Sequence, residues 1–524
     1  MLGAYRGDDD DARARAARGA DGSEAGNGPP SGRGRRAPWV APVAVAGACA
    51  LVAGGIWLLA PLAVQVQSAP SPTVTSIVPL ITSTVPAGTS AVLAGPGIDP
   101  TGESVSTDGV RAFIASLPEA GVRAVEVPAG SVIRLDGTIE LPADTVLRGG
   151  GELRWTEGIA NSAAISVVGD NVEISGVTLT NPNELGTPEG GRNYGIEINA
   201  SDVRVLGNHI ESFQNGVAVR YGGEYHDIVI SDNRIKDVVG AGGGPDSEEG
   251  IGEDRGDGIV VWGAQATVTG NIVNAKPGTD ARVGIHTESI TLDNAEDAPH
   301  SAAMVTISGN VVYGQFRRSI VSENVAHTTI TGNTVADATW WSIAVILQSH
   351  DSIVSGNTIL YTRTSDDGQG QNYDPRRAPI MVYGGVERAQ IIGNSLVVDA
   401  GADARAFVVV QGTGDQVPTD VTVDGNTGAT QGGEVEDGVL TVGRTAGLRV
   451  TDNRLSGFGG VGAALSDTSD YLVERNELVG AGATLGVRVT DSTGWGRIAG
   501  NVITGVDTAL EVPDSADVSD NLTP

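Results

Sequence analysis

"VTISGNVVYGQFRRSIVSENVAHTTITGNTV", residues 305–335, carries one sequence frame twice. Ile307 and Ile330 each precede an asparagine by three positions (Asn310, Asn333), a glycine stands just before each asparagine, and a valine (Val312, Val335) follows two positions later. Moving outward, the same frame surrounds twelve asparagines: Asn208, Asn233, Asn271, Asn310, Asn333, Asn357, Asn394, Asn426, Asn453, Asn476, Asn501 and Asn521. Val or Ile stands three residues before every one, and the position two after is usually apolar, Gly428 and Thr523 being exceptions. The shortest gaps run from 20 to 27 residues, and longer ones such as Asn233 to Asn271 read as one period plus an insertion. A fixed period with fixed chemistry is a repeat architecture.

Within each period, β-branched residues alternate with polar ones, and Gly, Asp or Asn marks the corners, which is the pattern of short strands. The expected fold is all-β, a parallel β-helix in which inward Val and Ile stack from coil to coil. Each asparagine amide is placed to donate to the next asparagine and accept from the previous one. The asparagine itself is expected to take the left-handed corner conformation, which it tolerates better than most residues. The period is too short for a propeller blade, and no stretch of helical period interrupts the repeats. About sixteen coils at ~4.8 Å per coil make a rod on the order of 75 Å.

The repeated frame V-x-[GD]-N-x-[IVL] resembles the right-handed parallel β-helix of the pectate-lyase-like superfamily. Residues 109–151, "GVRAFIASLPEAGVRAVEVPAGSVIRLDGTIELPADTVLRGGG", are similar to that group's start, where a short amphipathic helix caps the open end of the core. The resemblance covers roughly residues 105–524. It implies the fold and leaves the activity open, because the superfamily holds lyases, hydrolases, epimerases, phage tailspikes and non-catalytic surface proteins. The chain lacks the Asn-Thr-Asp and Gly-His-Gly elements of polygalacturonases and the Trp-x-Asp-His element of pectate lyases. Arg234–Ile235–Lys236 matches one isolated piece, and "NYDPRR" (residues 372–377) is only faintly similar to an epimerase element, so no role is carried over from either.

Ahead of the repeats, residues 1–36 mix Asp, Arg and Gly without apolar periodicity and read as a disordered cytoplasmic tail. Residues 37–66 hold an uncharged apolar run long enough to span a bilayer, with Arg33, Arg35 and Arg36 before it and no Lys or Arg after it until Arg111. The positive-inside rule then places the N-terminus in the cytoplasm and the β-helix outside the cell. A cleaved signal peptide is the competing reading. Residues 67–104, rich in Ser, Thr and Pro, read as an extended linker, and residues 105–524 as the β-helix domain. The single cysteine, Cys49, allows no internal disulfide, which suits a bacterial exported protein. A net charge of −31 without a basic stripe excludes nucleic acid as a partner.

Solenoids carry function on one outward strip flanked by insertions. Here one strand per coil reads x-G-I-x-x-x, as in "YGIEIN", "DGIVVW", "VGIHTE" and "WSIAVI". With Ile or Val after the glycine pointing in, two outward columns follow from the period of two. The first holds Glu197, Ala218, Val260, His286, Val321, Ala344 and Met381; the second holds Asn199, Arg220, Trp262, Glu288, Glu323, Ile346 and Tyr383; Val408 and Val410 continue the strip. Tyr194, Asp257, Arg318 and Trp341 stand at its upstream edge. Polar and aromatic residues concentrate between about residues 190 and 390, where the long insertions also fall.

His286, Glu288, Glu323, Arg220 and Asp257 are the candidate catalytic residues. Glu288 and Glu323 lie about one strand spacing (~5 Å) apart in this reading, and the proximity of like charges raises one of the two pKa values, which suits general acid work; the separation is also that of retaining glycosidases. Glu197, Asn199, Trp262, Arg318, Trp341 and Tyr383 are candidate glycan-binding residues, with the aromatics as platforms for sugar rings and the arginines as readers of a sugar carboxylate. The loop "PDSEEGIGEDRGD" (residues 245–257) offers Asp246, Glu248, Glu249, Glu253 and Asp254 as hard oxygen ligands for Ca²⁺, although a solvated acidic loop has the same composition. The whole reads as a membrane-anchored extracytoplasmic carbohydrate-active β-helix, a glycoside hydrolase or polysaccharide lyase. The alternative is a non-catalytic surface rod that binds a glycan or a protein.

Overall fold

Alternating β-branched residues with a corner every few positions give strands mostly of three to six residues that pair with the equivalent strand of the next coil. In the computed structural model every named strand pairs in parallel, for example Val205 against Ile230 and Ile230 against Val268. The structure describes residues 90–156, 162–182, 193–220, 225–240, 256–279, 281–289, 304–362 and 377–523. The chain is a right-handed parallel β-helix. The expected cytoplasmic tail, the apolar segment 37–66, most of the linker and the five proposed Ca²⁺ ligands lie outside these residues. Among the described residues, no helix is long and apolar enough to cross a membrane.

Three ladders run along the stack. The first is a sheet of sixteen strands that includes Val205's strand, Val203–Leu206, and its equivalents. The second follows the asparagine (His209–Glu211, Arg234–Val238, Ile272–Ala275), and the third holds the x-G-I strands (Tyr194–Ile198, Asn215–Val219, Asp257–Trp262, Val283–Glu288, Arg318–Glu323, Trp341–Ile346, Ala378–Tyr383). The last two merge where long strands such as Glu477–Thr490 bend from one into the other. One helix, α1 (Thr107–Ser116), packs Val110 and Ile114 onto the core, and Arg111 ties it down by donating from Nε and Nη2 to the Thr138 carbonyl at 3.0 and 2.8 Å. It stops at Leu117, whose extended backbone is the one favoured before Pro118.

The inward row Val205, Ile230, Val268, Ile307, Ile330, Val354, Ile391, Val423, Val450, Val473, Ile498 is buried throughout. Beside it the asparagine ladder is continuous. Each Nδ2 donates to the Oδ1 of the next asparagine and to a carbonyl of the coil before: Asn333 donates to Asn357 at 3.0 Å and to the Ile307 carbonyl at 3.0 Å. Each Oδ1 also accepts the backbone N–H of the previous asparagine, as from Asn310 to Asn333 at 2.9 Å. Val177 occupies the ladder position one coil before Asn208 and donates its N–H to Asn208 Oδ1 at 3.0 Å.

Two expectations change. The left-handed residue is the one before the asparagine, Gly309 (φ 63°), Gly332 (φ 64°) or Asp452 (φ 55°), and not the asparagine, whose amide needs ordinary backbone geometry to reach along the axis. Gly428, an exception in the frame, leaves a gap that the Phe407 ring fills, because a Cβ at Gly428 would lie 2.9 Å from Phe407 Cγ. Phe407 stands where most other coils carry Gly or Ser, directly before the inward Val408, which pairs with Ile380 and Val439. Met381 pairs with Val409 and Tyr383 with Gln411, while Val408 and Val410 join the core. The run of apolar residues there has no alternation from which the side could be read.

Candidate functional site

The third ladder carries the outward strip. Its register places Val260 beside His286, Trp262 beside Glu288 and Glu288 beside Glu323 on neighbouring coils. These outward positions are not exposed. Ala218, Val260, His286, Val321, Ala344 and Met381 are sealed from solvent, as are Trp262 and Ile346. Downstream, Val321, Trp341, Ala344, Ile346, Met381, Val409 and Leu440 form a second apolar cluster separate from the solenoid core. Upstream, Ala163, Tyr194, Ala218, Val260 and Trp262 form a third.

Between these clusters lies a buried ionic network. Arg282 grips Asp257 with two bonds, Nε to Oδ1 at 2.8 Å and Nη2 to Oδ2. His286 stands between acids: its Nδ1 is 3.5 Å from Asp257 Oδ2 and 3.2 Å from Arg282 Nη2, and its Nε2 is 3.3 Å from Glu323 Oε2 and 4.0 Å from Glu288 Oε2. The Trp262 Nε1–H donates to Glu288 Oε2 at 3.1 Å. The structure thus brings His286, Glu288, Glu323 and Asp257 together. It adds Arg282, which the sequence reading missed. Its one signal is position: a lone arginine directly ahead of "VGIHTE", four residues before His286.

The charges follow from these contacts. Burial alone raises Asp257, but the Arg282 cation outweighs it and holds the carboxyl well below the usual range. Burial depresses His286, yet its bonds to Asp257 and Glu323 prevail and push it up to about 9. Burial raises Glu323, and the bond and charge of His286, helped by Arg318 and Arg282, bring it below its ordinary value. The expected elevation of one carboxyl of the Glu288–Glu323 pair therefore does not fall on Glu323, because a histidinium lies against it. His286 is therefore held in its protonated form between the carboxylates of Asp257 and Glu323.

The rest of the strip divides in two. Upstream, half-exposed Arg220 pairs with Glu197 (Nε to Oε1, 3.1 Å), donates to the Tyr194 hydroxyl, and stacks over the rings of Tyr194 and Trp262 at 5.0 and 5.6 Å. Trp262 is thereby buried with a guanidinium on its ring, so it is no open platform for a sugar. Asn199 Nδ2 reaches Ser166 Oγ at 3.5 Å, and Ser166 Oγ donates to Glu197 Oε2 at 3.3 Å. Downstream, the Arg318 guanidinium lies against Trp340 and Trp341, 4.9 and 5.1 Å from the ring centres, and half-buried Tyr383 stands 6.5 Å from Trp341. Arg234–Ile235–Lys236 is accounted for by the second ladder, where Lys236 pairs with Glu211 at 2.8 Å and Asp237 at 3.1 Å.

Residues 243–374 match the family model described as periplasmic copper-binding protein (NosD). No curated protein sequence matches the chain. Among solved structures, the chain is similar to tailspike protein variants of Escherichia coli bacteriophage HK620. One, in complex with a pentasaccharide, is 12% identical over 82% of this chain and 80% of its own, with a TM-score of 0.57. A double mutant of the same tailspike is 11% identical over the same shares, with a TM-score of 0.56. At such identity the likeness is one of fold.

Among the described residues, the donor set does not fit a copper centre. Copper is held by clustered imidazoles and soft sulfur ligands. Residues 243–374 contain no cysteine and one methionine, Met304. Of the described histidines there, His286 is engaged by Asp257 and Glu323, His350 turns Nδ1 to Asp351 at 2.8 Å, and His327, its ring centre 5.7 Å from that of His350, has its Nδ1 4.0 Å from Asp351 Oδ2. Among the described residues, no three His, Cys, Asp or Glu side chains are grouped to hold a metal.

Proposed function

We propose that this chain is an exported carbohydrate-active β-helix that takes a glycan along its third ladder, and that Glu288 is its reacting group. The observation that carries the reading is the Asp257–Arg282–His286–Glu323 network, a break in an otherwise apolar, repetitive strip, which ends at Glu288 and lies on the same strip as the partly exposed Glu197–Arg220 pair. The tailspike of the same fold that was solved with a pentasaccharide supports the ligand class.

Chemically, Glu288 has 14% of its side chain exposed against none for His286 and 6% for Glu323, so a ligand meets Glu288 first. Trp262 Nε1–H fixes its carboxylate, and the histidinium behind it supplies a proton and positive charge. The other accessible carboxylate, Glu197, sits three coils away, roughly 14 Å along the axis. That exceeds the ~5–9.5 Å of paired glycosidase carboxylates. A single-base reaction such as β-elimination is therefore favoured over two-carboxylate hydrolysis.

A second reading, a non-catalytic glycan-binding rod, is favoured by one fact: His286 and Asp257 are wholly buried and engaged by neighbouring charges, as a structural cluster would be. Incubation with a panel of polysaccharides, read by reducing ends and by absorbance of unsaturated products, separates the two. Glu288→Gln is expected to lower the rate by about 2–4 kcal/mol of transition-state stabilisation. An active wild type with an equally active Glu288→Gln variant refutes the catalytic reading.

The uncharged segment 37–66 supports a membrane anchor with the repeats outside. Protease added to intact cells is expected to digest the repeats and spare an N-terminal tag. Protected repeats would overturn that topology.

A further inference from the structure

Arg318 is the anomaly of the strip. It is 8% exposed, yet among the described residues no carboxylate or carbonyl accepts from its guanidinium, and its Nε is buried without a hydrogen-bond partner. Its neighbours are two indole rings. One of these, Trp341, is 3% exposed, and its own Nε1–H is also buried without a partner. Two unsatisfied donors, one of them cationic, therefore lie side by side. Ring stacking offsets part of the cost of burying an arginine but satisfies none of its N–H groups. Arg220 has the opposite character: Glu197 neutralises it and the Tyr194 hydroxyl accepts from it.

We infer that Arg318 and Trp341 form an anion pocket that receives a carboxylate on the glycan, so that the ligand contains an acidic sugar. This rests on the glycan reading above and names its substrate class. A planar guanidinium matches a carboxylate with two parallel bonds, and the Trp341 N–H adds a third donor. Glu323, whose pKa is lowered in part by Arg318, lies at the far end of the same strand, so the pocket and the ionic network belong to one binding face. The net charge of −31 narrows the class further, since a uniformly acidic chain would be repelled. The ligand is a glycan with spaced acidic residues.

The test uses the full-length protein and small probes, with tryptophan fluorescence and calorimetry as readouts. Glucuronate and galacturonate are expected to bind saturably, and their uncharged methyl esters to bind at least about tenfold more weakly, because the charge-assisted bonds are lost. Arg318→Gln is expected to abolish the preference for the acid over the ester, and Trp341→Phe, which keeps a ring but removes the N–H, to reduce it. In the ligand-free protein the denaturation midpoint of Arg318→Gln is expected to equal or exceed that of wild type, since the guanidinium lost is buried without a hydrogen-bonded ion pair and acts on Glu323 only at a distance. Equal binding of acid and ester, an unchanged preference in Arg318→Gln, binding of inorganic sulfate or phosphate but not of the sugar acids, or a midpoint well below wild type would each overturn the pocket. None of these measurements depends on turnover. Acid-selective binding by a protein inert on every polysaccharide would leave the pocket standing and remove only the catalytic reading.

Discussion

The asparagine corner and the third-ladder strip both bury polar groups in rows stacked one residue per coil, continuously in the corner and at one place in the strip, and these groups are satisfied in opposite ways. In the corner, identical amides bond to one another, so each coil completes the next and the row extends from Asn208 to Asn521. In the strip, unlike groups meet once. Asp257, Arg282, His286 and Glu323 neutralise one another across three coils, with apolar clusters on either side. Repetition builds the rod, because a self-complementary group can be satisfied any number of times. A chemically distinct place requires that the repetition be broken, and a broken repeat must bring its own partners.

The largest test of this contrast lies beside the repetitive row. Ile330→Asp is expected to cost roughly 5 kcal/mol, since it buries an ion among Ile307, Val354 and other carbons with no partner in reach. A denaturant midpoint equal to wild type would mean that the inward register is wrong. In the unique cluster, Asp257→Ala is expected to cost about 3–5 kcal/mol, because it leaves Arg282 and His286 buried, both cationic and adjacent. Double replacement with Arg282→Met should recover part of that loss, and no recovery would show that the two are not coupled.

Asn333→Ala comes next, at about 2 kcal/mol. It strands the Asn310 N–H and the Ile307 carbonyl but introduces no charge. The same change at partly exposed Asn521 should cost below about 1 kcal/mol, since water can replace the lost bonds. Equal costs at the two sites would contradict a ladder closed by burial.

A last test separates the rows by pH. The amide row does not titrate, whereas the ionic cluster does. His286 is raised from 6.5 to about 9, so its contribution is whole below pH 6.5 and is lost as pH rises through about 9. Asp257 and Glu323 are lowered from 3.8 and 4.5, so theirs are whole above those values and fade as pH falls below them. Stability should therefore be highest near pH 5–6 and decline toward pH 9. The alkaline decline should flatten in His286→Gln, and an unaltered profile in that variant would place the titrating group elsewhere.

The coil is legible in the residues alone. Period-two alternation and a recurring asparagine state which side chain points inward and which residue is its neighbour one coil on, because parallel register carries these relations without reference to anything distant. The same rule brought Glu288 beside Glu323 and Trp262 beside Glu288. It failed where the alternation was masked, at Phe407 in an apolar run. Only the tertiary structure decided what became of the outward columns. Alternation says that His286 points out of the solenoid, not that it is sealed from solvent. The partner of Asp257 is Arg282, 25 residues on, at the start of the next coil's strand and outside the alternating frame. Which arginine is neutralised, Arg220 by Glu197, and which is left with only indole rings, Arg318, depends on side-chain reach across coils. Local periodicity encodes direction, whereas burial and pairing depend on groups that come together only when the coils are stacked.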